Sequence, residues 1–137
     1  DERRSISEST ELMTKNNSSA VVVTEEQRPK GIFTERDLLK RVINKVSDTT
    51  QTPMREVMTV PLISMPRTTH IGDVLAEMYR RDIRNMPVKG DDENLLGIVS
   101  MPDVLRYARA FDIDENVRRS WKEVANFWQS EDHYTPG

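Results

Sequence analysis

The chain contains itself twice. Gly31-Ile32-Phe33-Thr34-Glu35-Arg36-Asp37-Leu38-Leu39-Lys40 lies over Gly97-Ile98-Val99-Ser100-Met101-Pro102-Asp103-Val104-Leu105-Arg106 at a spacing of 66 residues. Gly, Ile, Asp and one Leu are identical, and Phe/Val, Thr/Ser, Leu/Val and Lys/Arg are chemically alike. Upstream, Val21-Val22 lies over Pro87-Val88 at the same spacing, and Ile6 and Met13 lie over Ile71 and Met78 with a one-residue slip. A repeat of this size makes each copy one supersecondary unit whose apolar face the other must cover. A single copy of about 55 residues would bury only about 60% of its unfolded surface and be marginal alone. Two copies packed on each other's sheets remove that deficit.

Each copy reads as helix, strand, turn, strand, helix. In the second, Ile71, Val74, Leu75 and Met78 form the stripe of an amphipathic helix. Met86–Val88 is a short strand, 89–94 a polar turn, Leu95–Val99 the returning strand, and Ser100 starts the last helix. Val60–Met65 reads as an additional leading strand. In the first copy, Ala20–Thr24 is the strand, Glu25–Lys30 the turn, Gly31–Phe33 the returning strand and Glu35–Val46 the final helix. The expected fold class is α/β (α+β), one pseudo-two-fold module. The expected divisions are a first repeat at 1–46 without its leading strand, a linker and short helix at 47–58, a second repeat at 59–111, and a C-terminal helix with an acidic tail at 112–137.

Twenty Lys and Arg stand against twenty-three Asp and Glu, and the excess sits in residues 112–137, which carry three basic and six acidic side chains. A neutral body with an acidic tail lacks the basic footprint of a protein that lives on phosphate backbones, so nucleic-acid binding is disfavoured. With no cysteine, disulfides, thiolate catalysis and Cys-ligated metals are excluded. The longest apolar run, Ala20–Val23, is far short of a membrane span of roughly 20 residues. The chain opens without an initiator Met or a signal-like apolar stretch, so a trimmed, cytoplasmic protein is expected.

The repeated core, Gly-apolar-apolar-(Thr/Ser)-x-x-Asp at a strand-to-helix junction, permits two readings. Thr34 and Ser100 are good N-caps, and Asp37 and Asp103 can complete a capping arrangement. The same hydroxyl and helix N–H groups form a phosphate cradle, and an acceptor-only carboxylate suits two vicinal ribose hydroxyls. Two copies would give two clefts.

In this order and twice over, these pieces resemble a tandem pair of cystathionine-β-synthase (CBS) domains, a Bateman-type regulatory module that binds adenosyl ligands. The resemblance covers roughly residues 5–109 and rests on Ser18–Val23, Gly31–Leu39, Val57-Met58, Arg84–Val88 and Gly97–Asp103. It implies two βαββα repeats about a pseudo-two-fold axis, no enzymatic activity, no cofactor, and AMP, ADP, ATP or S-adenosylmethionine as the regulatory ligand. By position, the first cleft would comprise Thr34, Arg36 and Asp37 with Ser64, Met65, Arg84, Asn85, Met86 and Pro87. Asp37 would hold the ribose, Thr34 and Arg84 the phosphates, and the Met86-Pro87 backbone would border the base. The second cleft would pair Ser100 and Asp103 with Ser18, Ser19, Ala20 and Val21; Met101-Pro102 in place of Glu35-Arg36 removes a basic group there. The first cleft is therefore expected to bind more tightly. The resemblance also implies a homodimer, for which the helix faces around Leu38, Val42 and Leu105 offer apolar surface. The alternative is a ligand-free dimerisation and interaction scaffold.

Outside the repeat, Val117, Trp121, Val124 and Trp128 share one helical face, which either covers the module or docks a protein partner. His70 reads as a surface or capping residue, and His133 beside Glu131 and Asp132 forms no recognisable metal site. Met13, Met54, Met58 and Met78 read as packing.

Overall fold

The computed structural model describes residues 1–110, together with the helical Arg119 and Lys122. The expectations for Trp121, Trp128 and His133 lie outside the described residues. Helix α1 (Ile6–Lys15) begins in a capping box: the Ser5 hydroxyl accepts from Glu8 N at 3.2 Å, and the Glu8 carboxylate accepts from Ser5 N at 2.9 Å. Strands β1 (Ala20–Glu25) and β2 (Arg28–Thr34) pair antiparallel and lead into α2 (Glu35–Asp37). The second repeat runs β3 (Met65–Pro66), α3 (Ile71–Arg80), β4 (Asn85–Lys89), β5 (Leu95–Ser100) and α4 (Met101–Ala110). Its sheet has the order β3-β4-β5, with β3 parallel and β5 antiparallel to β4. His70 is the N-cap of α3, its Nδ1 accepting from Gly72 N.

The register corrects the overlay of the two copies. Ala20 pairs with Thr34 and Val23 with Gly31, whereas Asn85 pairs with Ser100 and Val88 with Gly97. Strands β1 and β4 thus correspond at a spacing of 65, as the preceding helices do, and Val21 matches Met86 rather than Pro87. The extra residue lies in the second turn. Two adjacent apolar residues in each strand made either overlay plausible; the hydrogen-bond ladder admits one.

The first turn is tighter than expected. Only Glu26 and Gln27 connect β1 to β2, with φ of 47° and 67°. Two successive positive φ values suit a type I′ hairpin, whose preferred sequence is Asn-Gly. Neither residue escapes the left-handed penalty as Gly would. A Glu26→Asn, Gln27→Gly double variant is therefore expected to be about 1 kcal/mol more stable, read as a higher urea midpoint with an unchanged slope.

Two further expectations are corrected. The helix from Glu35 ends early: after α2 the chain makes a π-helical turn over Leu38–Val42, where Ile43 N donates to Leu38 O at 3.0 Å, and Asn44 then takes φ 63°. The β-branched Val42, Ile43 and Val46 favour regular helix weakly, and the exit lets Val46 turn back onto the core. Val42 is itself core, so the apolar surface offered by this turn is Leu39 and Ile43 instead.

The leading strand over Val60–Met65 is also shorter, with only Met65 in β3. The start of that segment belongs to the first repeat. Thr59 N donates to Ile32 O at 2.7 Å, Ile32 N to Thr59 O at 3.0 Å, and Leu62 N to Lys30 O at 3.1 Å. The connection thus completes both sheets in turn.

Each repeat has its own core. The first holds Ile6, Met13, Val23, Phe33 and Val42, and draws Met54, Val57 and Met58 from the connection, where Met54–Glu56 is a 3₁₀ turn. The second holds Val74, Met78 and Met86, with Ile63, Met65, Ile83 and Val99 packed against them. All four methionines read as packing are buried. Among the described residues no helix is long and apolar enough to cross a membrane.

Candidate functional site

The two Thr/Ser-x-x-Asp motifs fold alike. Each strand ends on the hydroxyl residue, which caps the helix that follows, because a short oxygen at the N-cap satisfies an otherwise orphaned N–H. Asp37 N donates to Thr34 Oγ1 at 3.2 Å, and Asp103 N to Ser100 Oγ at 3.3 Å. The aspartates reach back: Asp37 Oδ2 accepts from Thr34 N at 3.0 Å and Thr34 Oγ1 at 2.9 Å, and Asp103 Oδ2 from Ser100 N at 3.3 Å and from Ser100 Oγ. The first helical N–H is also occupied. Glu35 N donates to Ser19 O at 3.1 Å, and Met101 N to Arg84 O at 2.9 Å. Pro102 has no N–H, so in α4 the first three helical positions leave no backbone donor for an anion. The open phosphate cradle expected there is filled by the protein itself.

The remaining carboxylate oxygens separate the two motifs. Asp37 Oδ1 accepts from Thr59 Oγ1 at 3.0 Å and lies 3.5 Å from Arg41 Nε. Arg41 in turn donates to Val57 O at 3.1 Å and Met58 O at 2.7 Å. Asp37 therefore closes the cap of α2 with Oδ2 and ties that turn to the connecting segment with Oδ1. Asp103 Oδ1 has no hydrogen-bond partner among the described residues.

The other residues expected in the first cleft are dispersed in role. The Arg36 guanidinium, expected in that cleft, donates instead to Asp82 O and Asp82 Oδ2, both at 2.8 Å. Met86 and Pro87 are fully buried, Met86 in the second core, against which Met65 packs. Ser64 is half-buried just ahead of β3, and Arg84 is exposed just ahead of β4. Asn85 faces the other way: its Oδ1 accepts from Ser19 Oγ at 3.1 Å, a bond across the two repeats.

On that side lies a cavity of about 740 Å³. Ser18, Ser19, Ser100 and Asp103 line it together, as the second cleft requires, and Asn85 joins them. Ala20 and Val21 do not line it; Ala20 is buried in β1 and Val21 packs on the first core.

Several lining residues escaped the sequence reading. Thr10, Thr14, Asn16 and Asn17 come from α1 and its end, Glu35 from α2 and Arg106 from α4. Arg106 replaces the basic group lost at Pro102, one helical turn beyond Asp103. The signal is an i, i+3 pair with Asp103 on one helix face, and it lies outside the Thr/Ser-x-x-Asp core that carries the resemblance. Among the described residues Arg106 makes no ion pair, and no cluster of His, Asp and Glu there could hold a metal.

The CBS domain family profile matches residues 1–44 and 54–110. The chain belongs to the CBS domain family. Its two matched stretches form a tandem CBS pair. It is 35% identical over 101 residues to the CBS domain-containing protein YhcV of Bacillus subtilis, an alignment covering 74% of this chain and 71% of YhcV. The chain spans 45%, 71%, 57% and 28% of the first four curated relatives, about half their length. The CBS domain pair of protein MJ0100, solved with 5′-methylthioadenosine and S-adenosyl-L-methionine, is 26% identical with a TM-score of 0.64, over 75% of this chain and 80% of that one. The AMP complex of CBS domain protein PAE2072 from Pyrobaculum aerophilum is similar in fold, with 23% identity and a TM-score of 0.69 over 91% and 88% of the two chains.

Proposed function

We propose that this CBS pair is a regulatory module that binds an adenosine-type ligand in the Ser18, Ser19, Ser100 and Asp103 cleft. The observation that carries the reading is that Asp103, whose Oδ1 has no hydrogen-bond partner among the described residues, lines a cavity shared by both repeats. That oxygen is free to accept from a ribose hydroxyl without dismantling the helix cap. Arg106 offers a charge-assisted donor, and three serines and three asparagines offer neutral partners for the base and sugar. The complexes of MJ0100 and PAE2072 support the ligand class. A ligand touching both repeats stabilises one relative arrangement of them by its differential affinity, which a partner or another domain reads.

This reading reverses the order of the two clefts drawn from sequence. At Asp37 both oxygens are committed to Thr34, Thr59 and Arg41, so a ribose there would compete with the fold. A melt screen with AMP, ATP, S-adenosylmethionine and 5′-methylthioadenosine tests the proposal. A ligand at about 100 times its Kd stabilises by about 2.7 kcal/mol, several degrees of Tm. Asp103→Ala is expected to weaken binding at least about tenfold, close to 1.4 kcal/mol, and Asp37→Ala to lower stability with a smaller effect on Kd. No shift with any of these compounds at millimolar concentration would leave the ligand-free scaffold as the function.

A further inference from the structure

Resting on that reading, we infer that the cleft selects adenosyl ligands without a polyphosphate chain, and that Glu35 sets this selectivity. Among the described residues three charged side chains line the cavity: the carboxylates of Glu35 and Asp103 and the guanidinium of Arg106. The rest of the lining is neutral, and most of it is hydroxyl or amide. The fixed charge of the wall is therefore −1. Arg106 can balance one anionic group, but a triphosphate brings about four negative charges against a wall already negative. The backbone amides that usually offset such charge at a helix start are spent: Met101 N on Arg84 O, Asp103 N on Ser100 Oγ, and none exists at Pro102.

Glu35 is the residue that tips the balance. It is the first residue of α2, exposed, and belongs to the first repeat although it faces the cleft built on the second motif. Its counterpart in the repeat is the uncharged Met101. The neighbouring Arg36, which could have neutralised it, is held instead by Asp82, with Nη1 2.8 Å from Oδ2. Without Glu35, Asp103 and Arg106 would cancel and the wall would be neutral. An uncharged or sulfonium-bearing adenosyl compound meets no repulsion here, and its ribose and base still find the serines, asparagines and Asp103.

Titration calorimetry on the full chain at low ionic strength, where surface charges are least screened, tests the inference with 5′-methylthioadenosine and ATP as probes. The wild type is expected to bind 5′-methylthioadenosine at least about tenfold more tightly than ATP, the factor a neighbouring unit charge gives at a protein surface. Glu35→Gln should narrow that ratio several-fold by improving ATP alone, and Glu35→Lys should narrow it further. Because Glu35 is exposed and outside the cap hydrogen bonds, both variants should fold, which their circular dichroism verifies. Equal or tighter binding of ATP by the wild type, or the same ratio in all three proteins, overturns the selectivity while leaving the adenosyl site standing. Binding of neither probe, or binding that Asp103→Ala does not weaken, overturns the site and the selectivity together.

Discussion

Phe33→Ala is expected to be the most damaging single substitution in either repeat, lowering stability by about 3–5 kcal/mol. Phe33 is 0% exposed and packs in the first core among Ile6, Met13, Val23, Val42 and the methionines of the connecting segment. Those neighbours come from α1, β1, the π-helical turn and the 3₁₀ turn, so the hole left behind cannot be closed by moving any one of them. The loss is a large share of the roughly 5–15 kcal/mol that holds a typical domain folded. The same position in the second repeat is Val99, which is only half-buried. Val99→Ala should cost only about 1 kcal/mol. Urea denaturation of the two variants measures both numbers, and a comparable loss in each would show that the repeats share the load equally.

The second contrast uses the repeat's own glycines. A Cβ on Gly31 would lie 2.7 Å from Thr59 O, 2.9 Å from Val60 Cγ1 and 3.0 Å from Met58 Sδ. The nearest of these is backbone, held by the paired Ile32 and Thr59 hydrogen bonds, and cannot turn aside as a side-chain end can. Gly31→Ala is therefore expected to cost about 1–3 kcal/mol and to loosen the connection from β2. A Cβ on Gly97 would meet nothing within 4 Å among the described residues, and its φ is not positive. Gly97→Ala should be neutral or stabilising by about 0.4–1 kcal/mol, since alanine restricts the unfolded chain more than glycine does. Thermal melts of the pair decide the matter. A destabilised Gly97→Ala would mean that something covers that strand.

Both contrasts arise because near-identical sequences stand in different surroundings. The connecting segment passes beside β2 before it forms β3, so the first motif is packed against Met58–Val60. The second motif has no such cover among the described residues. That difference also decides the site: Thr59 and Arg41 consume the free oxygen of Asp37, and nothing described does so at Asp103.

From the sequence alone, the repeat, the order of its elements, both helix caps and the buried Ile6, Val74, Leu75 and four methionines could be read. These depend on local chemistry: a hydroxyl three residues before an aspartate, apolar side chains at helical spacing, a polar turn between two apolar strands. Tertiary structure decided the one-residue slip between β1 and β4, the early end of the helix after Asp37, and which aspartate keeps an oxygen unpaired among the described residues. Each of those turns on a partner distant in the chain, such as Thr34 for Ala20, the first core for Val46 and Thr59 for Asp37. The motif could be seen twice in the sequence; its two neighbourhoods could not, because hydrogen bonds across 22 or 66 residues leave no mark on the spacing of the motif itself.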